Sequence, residues 1–184
     1  DDSDTVKSRI SLAATTINGM SYDETKTPLE NQAAIKAVVD NAKADIEVLR
    51  ENETPFEVYK TQILTTIGNI RTENDSDATS NLITDAETAI KALTYDVTKS
   101  SEANKEAVNA IFTKLTQDLE TQQIKEAKGA FETYKTEKTE YVESLKSEGD
   151  STTVTGIIND AKAAITTLAY VESNSLEENK TTVD

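Results

Sequence analysis

The chain has 184 residues, with 19 lysines and arginines against 34 aspartates and glutamates and a net charge of −15. The acids run along its whole length and no basic stripe is present to neutralise phosphates, so neither nucleic acid nor an anionic membrane surface is an expected partner. Histidine, cysteine and tryptophan are missing, which removes imidazole bases, thiol nucleophiles, disulfides and the usual transition-metal ligands, and no apolar run approaches the roughly 20 residues needed for membrane insertion.

From the N-terminus, Asp2, Ser3 and Asp4 supply acceptors and negative charge for the start of a first helix. Ile10, Ala13, Ile17 and Met20 follow at steps of 3, 4 and 3, the spacing of one buried helical face. A polar linker, Tyr22-Asp23-Glu24-Thr25-Lys26-Thr27, leads into the capping box Thr27-Pro28-Leu29-Glu30, with proline at the first helical position. The second helix carries Ile35, Val38, Val39, Ala42, Ile46 and Leu49. Thr54-Pro55-Phe56-Glu57 has the same hydroxyl-proline order and predicts the start of a third helix, with Phe56, Tyr59, Ile63, Ile67 and Ile70 on its apolar face.

The pattern then returns. Residues 75–109 and 150–184 are identical at 14 of 35 positions when offset by 75, too many and too well spaced for chance. The first copy aligns at an offset of 73 through Tyr22 and Asn31, and at 75 through Phe56 and Tyr59, which pair with Phe131 and Tyr134. Two residues are therefore inserted in the second copy between about positions 121 and 129. The apolar phase slips between Leu119 and Ile124, which predicts a turn or kink there, and Gly149 before Asp150 reads as a helix stop.

The expected fold is all-α: tandem three-helix-bundle repeats of about 75 residues in an elongated array. The repeats span residues 1–74, 75–149 and, as a partial copy, 150–184, which holds a first helix, a linker and the start of a second helix. Two expectations attach to that partial copy. Either its apolar stripe lacks partners because a parent protein continues past Asp184, or it packs on the second copy or on another chain. Met20 is the only methionine, so a chain starting at Asp1 is expected to be a processed or excised form.

Chemistry-bearing patterns are few. No Gly-rich phosphate loop and no nucleophilic serine elbow occur. Glu137, Glu140 and Glu143 alternate with Lys135, Lys138 and Lys146, the pattern of a solvated helix face. The acidic starts at Asp1, Asp75 and Asp150 lack the ligand spacing of a calcium loop and are read as helix caps. No catalytic residue, cofactor or metal site is expected, and the chain is read as a non-enzyme. The distinctive element is the linker tyrosine, Tyr22, Tyr95 and Tyr170. On a functional reading these rings contact a protein or glycan. On a structural reading, which their recurrence favours, they close the bundle ends while Asn31, Asn104 and Asn179 tie down the linker backbone.

The order of apolar helix, Tyr-polar linker with a nearby hydroxyl residue, and second apolar helix covers residues 1–50, 75–122 and 150–184. It resembles the FIVAR-type and related helical-bundle modules of bacterial surface proteins. That resemblance implies a stalk or spacer in a secreted or surface-anchored bacterial protein, at the cell surface or outside the cell. The alternatives it leaves, in order, are an adhesive module for a host protein or glycan and an accessory module of a larger extracellular enzyme. The Thr-, Asn- and Asp-rich composition suits the same setting.

Overall fold

Each short helix of the chain begins at a serine whose hydroxyl accepts the N–H three residues on: Ser3 from Val6 at 3.2 Å, Ser76 from Thr79 at 3.1 Å and Ser151 from Val154 at 3.3 Å. The acids beside them divide the remaining work. Asp4 and Asp77 sit in the first turn, at the positive end of the helix. Asp75 instead accepts the backbone N–H of Thr72 at 3.0 Å, and Asp150 that of Ser147 at 2.7 Å, so these two staple the preceding turn. The expected capping box forms between Thr27 and Glu30, and Ser175 with Glu178 makes a second one.

The computed structural model describes residues 3–184, so the expected contribution of Asp2 lies outside the described residues. Six helices follow in order: α1 (Asp4–Asn18), α2 (Pro28–Ile70), α3 (Asp77–Ala92), α4 (Ser101–Ser144), α5 (Thr152–Thr167) and α6 (Leu176–Thr181). No strand occurs among the described residues, and the protein is all-α.

Two expected breaks are absent. The helix start at Thr54-Pro55 is not one: α2 runs through it for 43 residues with Pro55 inside. An internal proline removes one backbone hydrogen bond and crowds the carbonyl four residues back, at a cost of about 3 kcal/mol. Here Leu49 and Phe56 are both buried on either side of Pro55, and that packing offsets the cost. The turn or kink expected between Leu119 and Ile124 likewise makes no break, because α4 continues for 44 residues. The slip in apolar phase is a change of buried face along one helix: Leu119 and Phe131 are both buried, yet they lie about 120° apart at 100° per residue. Gly149, read as a helix stop, stands five residues beyond α4 in the following turn, where its φ of 91° suits glycine.

The chain forms two compact units, Asp1–Thr116 and Gln117–Asp184. The division falls inside α4 rather than at either sequence repeat boundary. In the first unit, α1 and α3 both lie against α2. Val6 anchors α1, and the Ser3 hydroxyl donates to Glu53 at 2.5 Å. The second half of α2, α3 and the start of α4 bury Phe56, Ile67, Ile83, Ile90 and Val108, and the Tyr59 hydroxyl of α2 bonds to Asn109 of α4. In the second unit, Phe131 of α4, Ile165 of α5 and Val183 form the core, with Tyr134, Leu168, Tyr170 and Leu176 against it. The stripe of α5 is thus covered by α4, which corrects the expectation of an unpartnered first helix in the partial copy and meets the alternative.

If Pro55 is an interior residue, Pro55→Ala restores a backbone hydrogen bond. The variant is expected to gain about 2 kcal/mol in urea unfolding, the helix relief less the unfolded-chain entropy that proline removes. A gain near zero would mean that a new helix starts at this point.

Candidate functional site

The linkers are built from the same few bonds. The Asn31 side-chain oxygen accepts the Asp23 N–H at 2.9 Å, and its amide donates to the carbonyls of Asp23 at 3.0 Å and Thr27 at 3.1 Å. Asn104 repeats this with Asp96 and Ser100, and Asn179 with Val171 and Ser175. Asn104 and Asn179 are buried, and these bonds satisfy both ends of each amide. The linker backbone is therefore fixed by one side chain from the following helix.

Two linkers carry a further turn. Asp23 accepts the Thr25 N–H at 2.9 Å and the Thr25 hydroxyl at 2.5 Å, and Asp96 accepts from Thr98 in the same way. The Thr25 hydroxyl, followed by Lys26 and the Thr25 N–H, holds the Asp23 carboxyl down at about 2. Thr98 lowers Asp96 through the same pair of bonds. In the third linker Val171 takes the aspartate's place.

The three linker tyrosines have different surroundings. The Tyr95 ring is buried and meets Phe56 edge to face, with centroids 5.8 Å apart. Tyr170 is half-buried and meets Phe131 in the same way at 5.7 Å. Tyr22 is exposed and has no ring partner among the described residues. Each tyrosine sits on its own linker, and the structure does not gather them into one site.

Two lysines that residue type alone does not single out complete the arrangement. Lys60 is buried and donates to the Leu93 carbonyl at 2.6 Å, just past the end of α3, while pairing with Glu57 at 2.9 Å. Lys135 is buried and donates to the Leu168 carbonyl at 2.7 Å, just past the end of α5, while pairing with Glu132 at 3.2 Å. Each ammonium also lies 5.6 Å from the ring centroid of Phe56 or Phe131. A cation at a helix C-terminus satisfies free carbonyls and opposes the negative end of the helix dipole. The signal was present in the sequence as Phe-Glu-Val-Tyr-Lys-Thr at 56–61 and Phe-Glu-Thr-Tyr-Lys-Thr at 131–136. The tyrosines of these motifs bond to later segments: the Tyr59 hydroxyl donates to Asn109 of α4 at 2.5 Å and that of Tyr134 to Asp184, beyond α6, at 2.6 Å.

Several depressions open on the first unit, and two of them lie beside the linkers. One of about 580 Å³ is lined by Arg9, Leu12, Phe56, Tyr95 and Asn104 among others. Arg9 pairs there with Asp45, and its Nε is buried without a partner. The other, of about 720 Å³, is lined by Met20, Tyr22, Asp23, Asn31 and Ile35 among others. Among the described residues no cluster of three acids has the arrangement of metal ligands, and no helix is long and apolar enough to cross a membrane. No known protein family matches the chain, and no curated protein or solved structure is detectably similar to it.

The contrast among the tyrosines yields a direct expectation. Tyr95→Ala empties a buried aromatic site and should cost about 3 kcal/mol or more in chemical unfolding, whereas Tyr22→Ala should stay within about 0.5 kcal/mol of the parent chain. Equal losses would contradict the difference in burial.

The lowered carboxyls set a pH response. Asp23 is held at about 2 against an ordinary 3.8, and Asp96 is shifted the same way, so the unfolded chain binds protons first as pH falls. The stability they contribute is complete above about pH 5 and is lost between about pH 4 and 2. Thermal midpoints across that range should fall for the parent chain and fall less for an Asp23→Asn, Asp96→Asn double variant.

Proposed function

We propose that the chain is a non-catalytic structural segment, an array of helical-bundle modules serving as a stalk or spacer in a secreted or surface-anchored bacterial protein. The observation that carries this reading is the interlock of consecutive sequence copies. The long helix of one copy supplies the phenylalanine and lysine that cover the short helix and linker of the next, first at Phe56 and Lys60 and again at Phe131 and Lys135. Its polar side chains are spent on capping and tying down backbone, which is what a load-transmitting module requires and what a reaction centre does not. The resemblance of the linkers to those of bacterial surface modules and the Thr-, Asn- and Asp-rich composition favour the extracellular setting.

An elongated arrangement is part of the proposal. The 43 residues of α2 alone span about 65 Å at 1.5 Å per residue. Small-angle scattering of the chain is expected to give a radius of gyration well above the about 16 Å of a compact chain of this length; a value near that figure would overturn the spacer reading. The second reading, an adhesive module for a protein or glycan, has the exposed ring of Tyr22 in its favour. Tyr22→Ala removes the exposed linker ring: on the second reading it abolishes binding to a protein or glycan, and on the spacer reading it leaves the scattering profile of the chain unchanged.

A further inference from the structure

The same helical face is covered in one copy and bare in another. Ile83, Ile90, Tyr95 and Val108 are 0%, 0%, 5% and 0% exposed. Their counterparts in the first copy, at an offset of 73, are Ile10, Ile17, Tyr22 and Ile35. Of these, Ile10 is 45% exposed, Tyr22 61% and Ile35 42%, and Ile17 is half-buried. The residue types barely differ, so the sequence of the face does not account for the difference. What differs is the cover: Phe56 and Lys60 of α2 lie over the second copy's face, and Phe131 and Lys135 of α4 over the third's.

The bare face keeps the recognition groups of the covered ones. The Met20 carbonyl corresponds to the carbonyls of Leu93 and Leu168 that receive the buried lysines, and no side chain among the described residues donates to it. Asn31 holds the Tyr22 linker in the same bonded form as its two counterparts. Glu24 corresponds to Glu172, which pairs with Lys128 of the covering helix at 2.5 Å. Lys36 stands where Asn109 and Asp184 accept the tyrosine hydroxyl of the cover, so that tyrosine is no part of what this face would recognise. The 720 Å³ depression is lined by Met20, Tyr22 and Ile35, the counterparts of Leu93, Tyr95 and Val108, and Tyr95 is the ring that Phe56 meets.

We infer that this face of α1 and the start of α2 is a docking socket for one helix of the same repeat type, carrying Lys-x-x-Phe-x-x-x-Lys as residues 128–135 do. The phenylalanine packs on Tyr22 and Ile35, the second lysine donates to the Met20 carbonyl, and the first pairs with Glu24. A second folded copy of this chain does not supply that helix, because its own Phe56 and Phe131 are buried. The occupant is therefore a repeat-type helix not engaged with a bundle of its own.

The inference rests on the reading of the chain as interlocking repeats, and its test is independent of the chain's shape. A synthetic peptide of residues 121–145 is titrated into the isotope-labelled full chain and followed by amide chemical shifts. Shifts confined to residues 10–36 are expected, with affinity reduced by at least about tenfold when the peptide carries Phe131→Ala or the chain carries Ile35→Ser, an exposed position whose replacement spares the fold. No shift at millimolar peptide would overturn the inference, as would shifts centred on residues 152–183, which would mean exchange with the chain's own helix. Concentration-dependent self-association through residues 10–36 in the absence of peptide would also overturn it in favour of a second copy. An extended scattering profile together with a silent titration would sink the socket and leave the spacer reading standing.

Discussion

The end of an α-helix leaves several carbonyls without partners, and packing another element over that end removes the water that would otherwise satisfy them. In both units of this protein the difficulty arises where a short helix gives way to a linker, and in both a lysine from the neighbouring long helix meets it. Lys60 reaches the Leu93 carbonyl and Lys135 the Leu168 carbonyl, each with its ammonium shared between that carbonyl, a carboxylate one turn away and an aromatic face. A buried ammonium is tolerated only with such a full set of partners. The position of the linker tyrosine follows, since the phenylalanine under the lysine stem is the ring it packs against.

Much of this was legible in the residues. The spacing of Ile83, Ala86 and Ile90 marks a face that is buried, and the serines, capping boxes and linker asparagines stand where their local bonding preferences place them. What escaped the sequence depended on neighbours. Thr54-Pro55 carries the same local signal whether proline opens a helix or lies within one, and only the burial of Leu49 and Phe56 on both sides decides between them. Lysine reads as a surface residue by type, so Lys60 and Lys135 stand out only when their motifs are set side by side. Tyr22 and Tyr95 occupy matching linkers, and their different exposure comes from a helix that neither linker contains.

The sequence copies and the packing units are out of phase for a physical reason. A short amphipathic helix of 16 residues such as α3 or α5 buries too little on its own, and its immediate cover is the end of the long helix before it as well as the start of the one after. A boundary drawn at the turn before α3 therefore cuts through a core. The same logic explains why both long helices pass without interruption through the middle of a sequence copy, where a break was expected. The residues there join two sets of packed partners.

The interlocks also have a kinetic meaning. Lys60 and Leu93 are 33 residues apart, as are Lys135 and Leu168, and the tyrosine bonds close over 50 residues. Contacts of such short reach ask the unfolded chain for little loop-closure entropy, the circumstance in which helical proteins fold fastest. Each unit holds its own complete set of these closures. A chain emerging from synthesis can thus secure its N-terminal unit before the C-terminal one has arrived, with no distant segment to wait for.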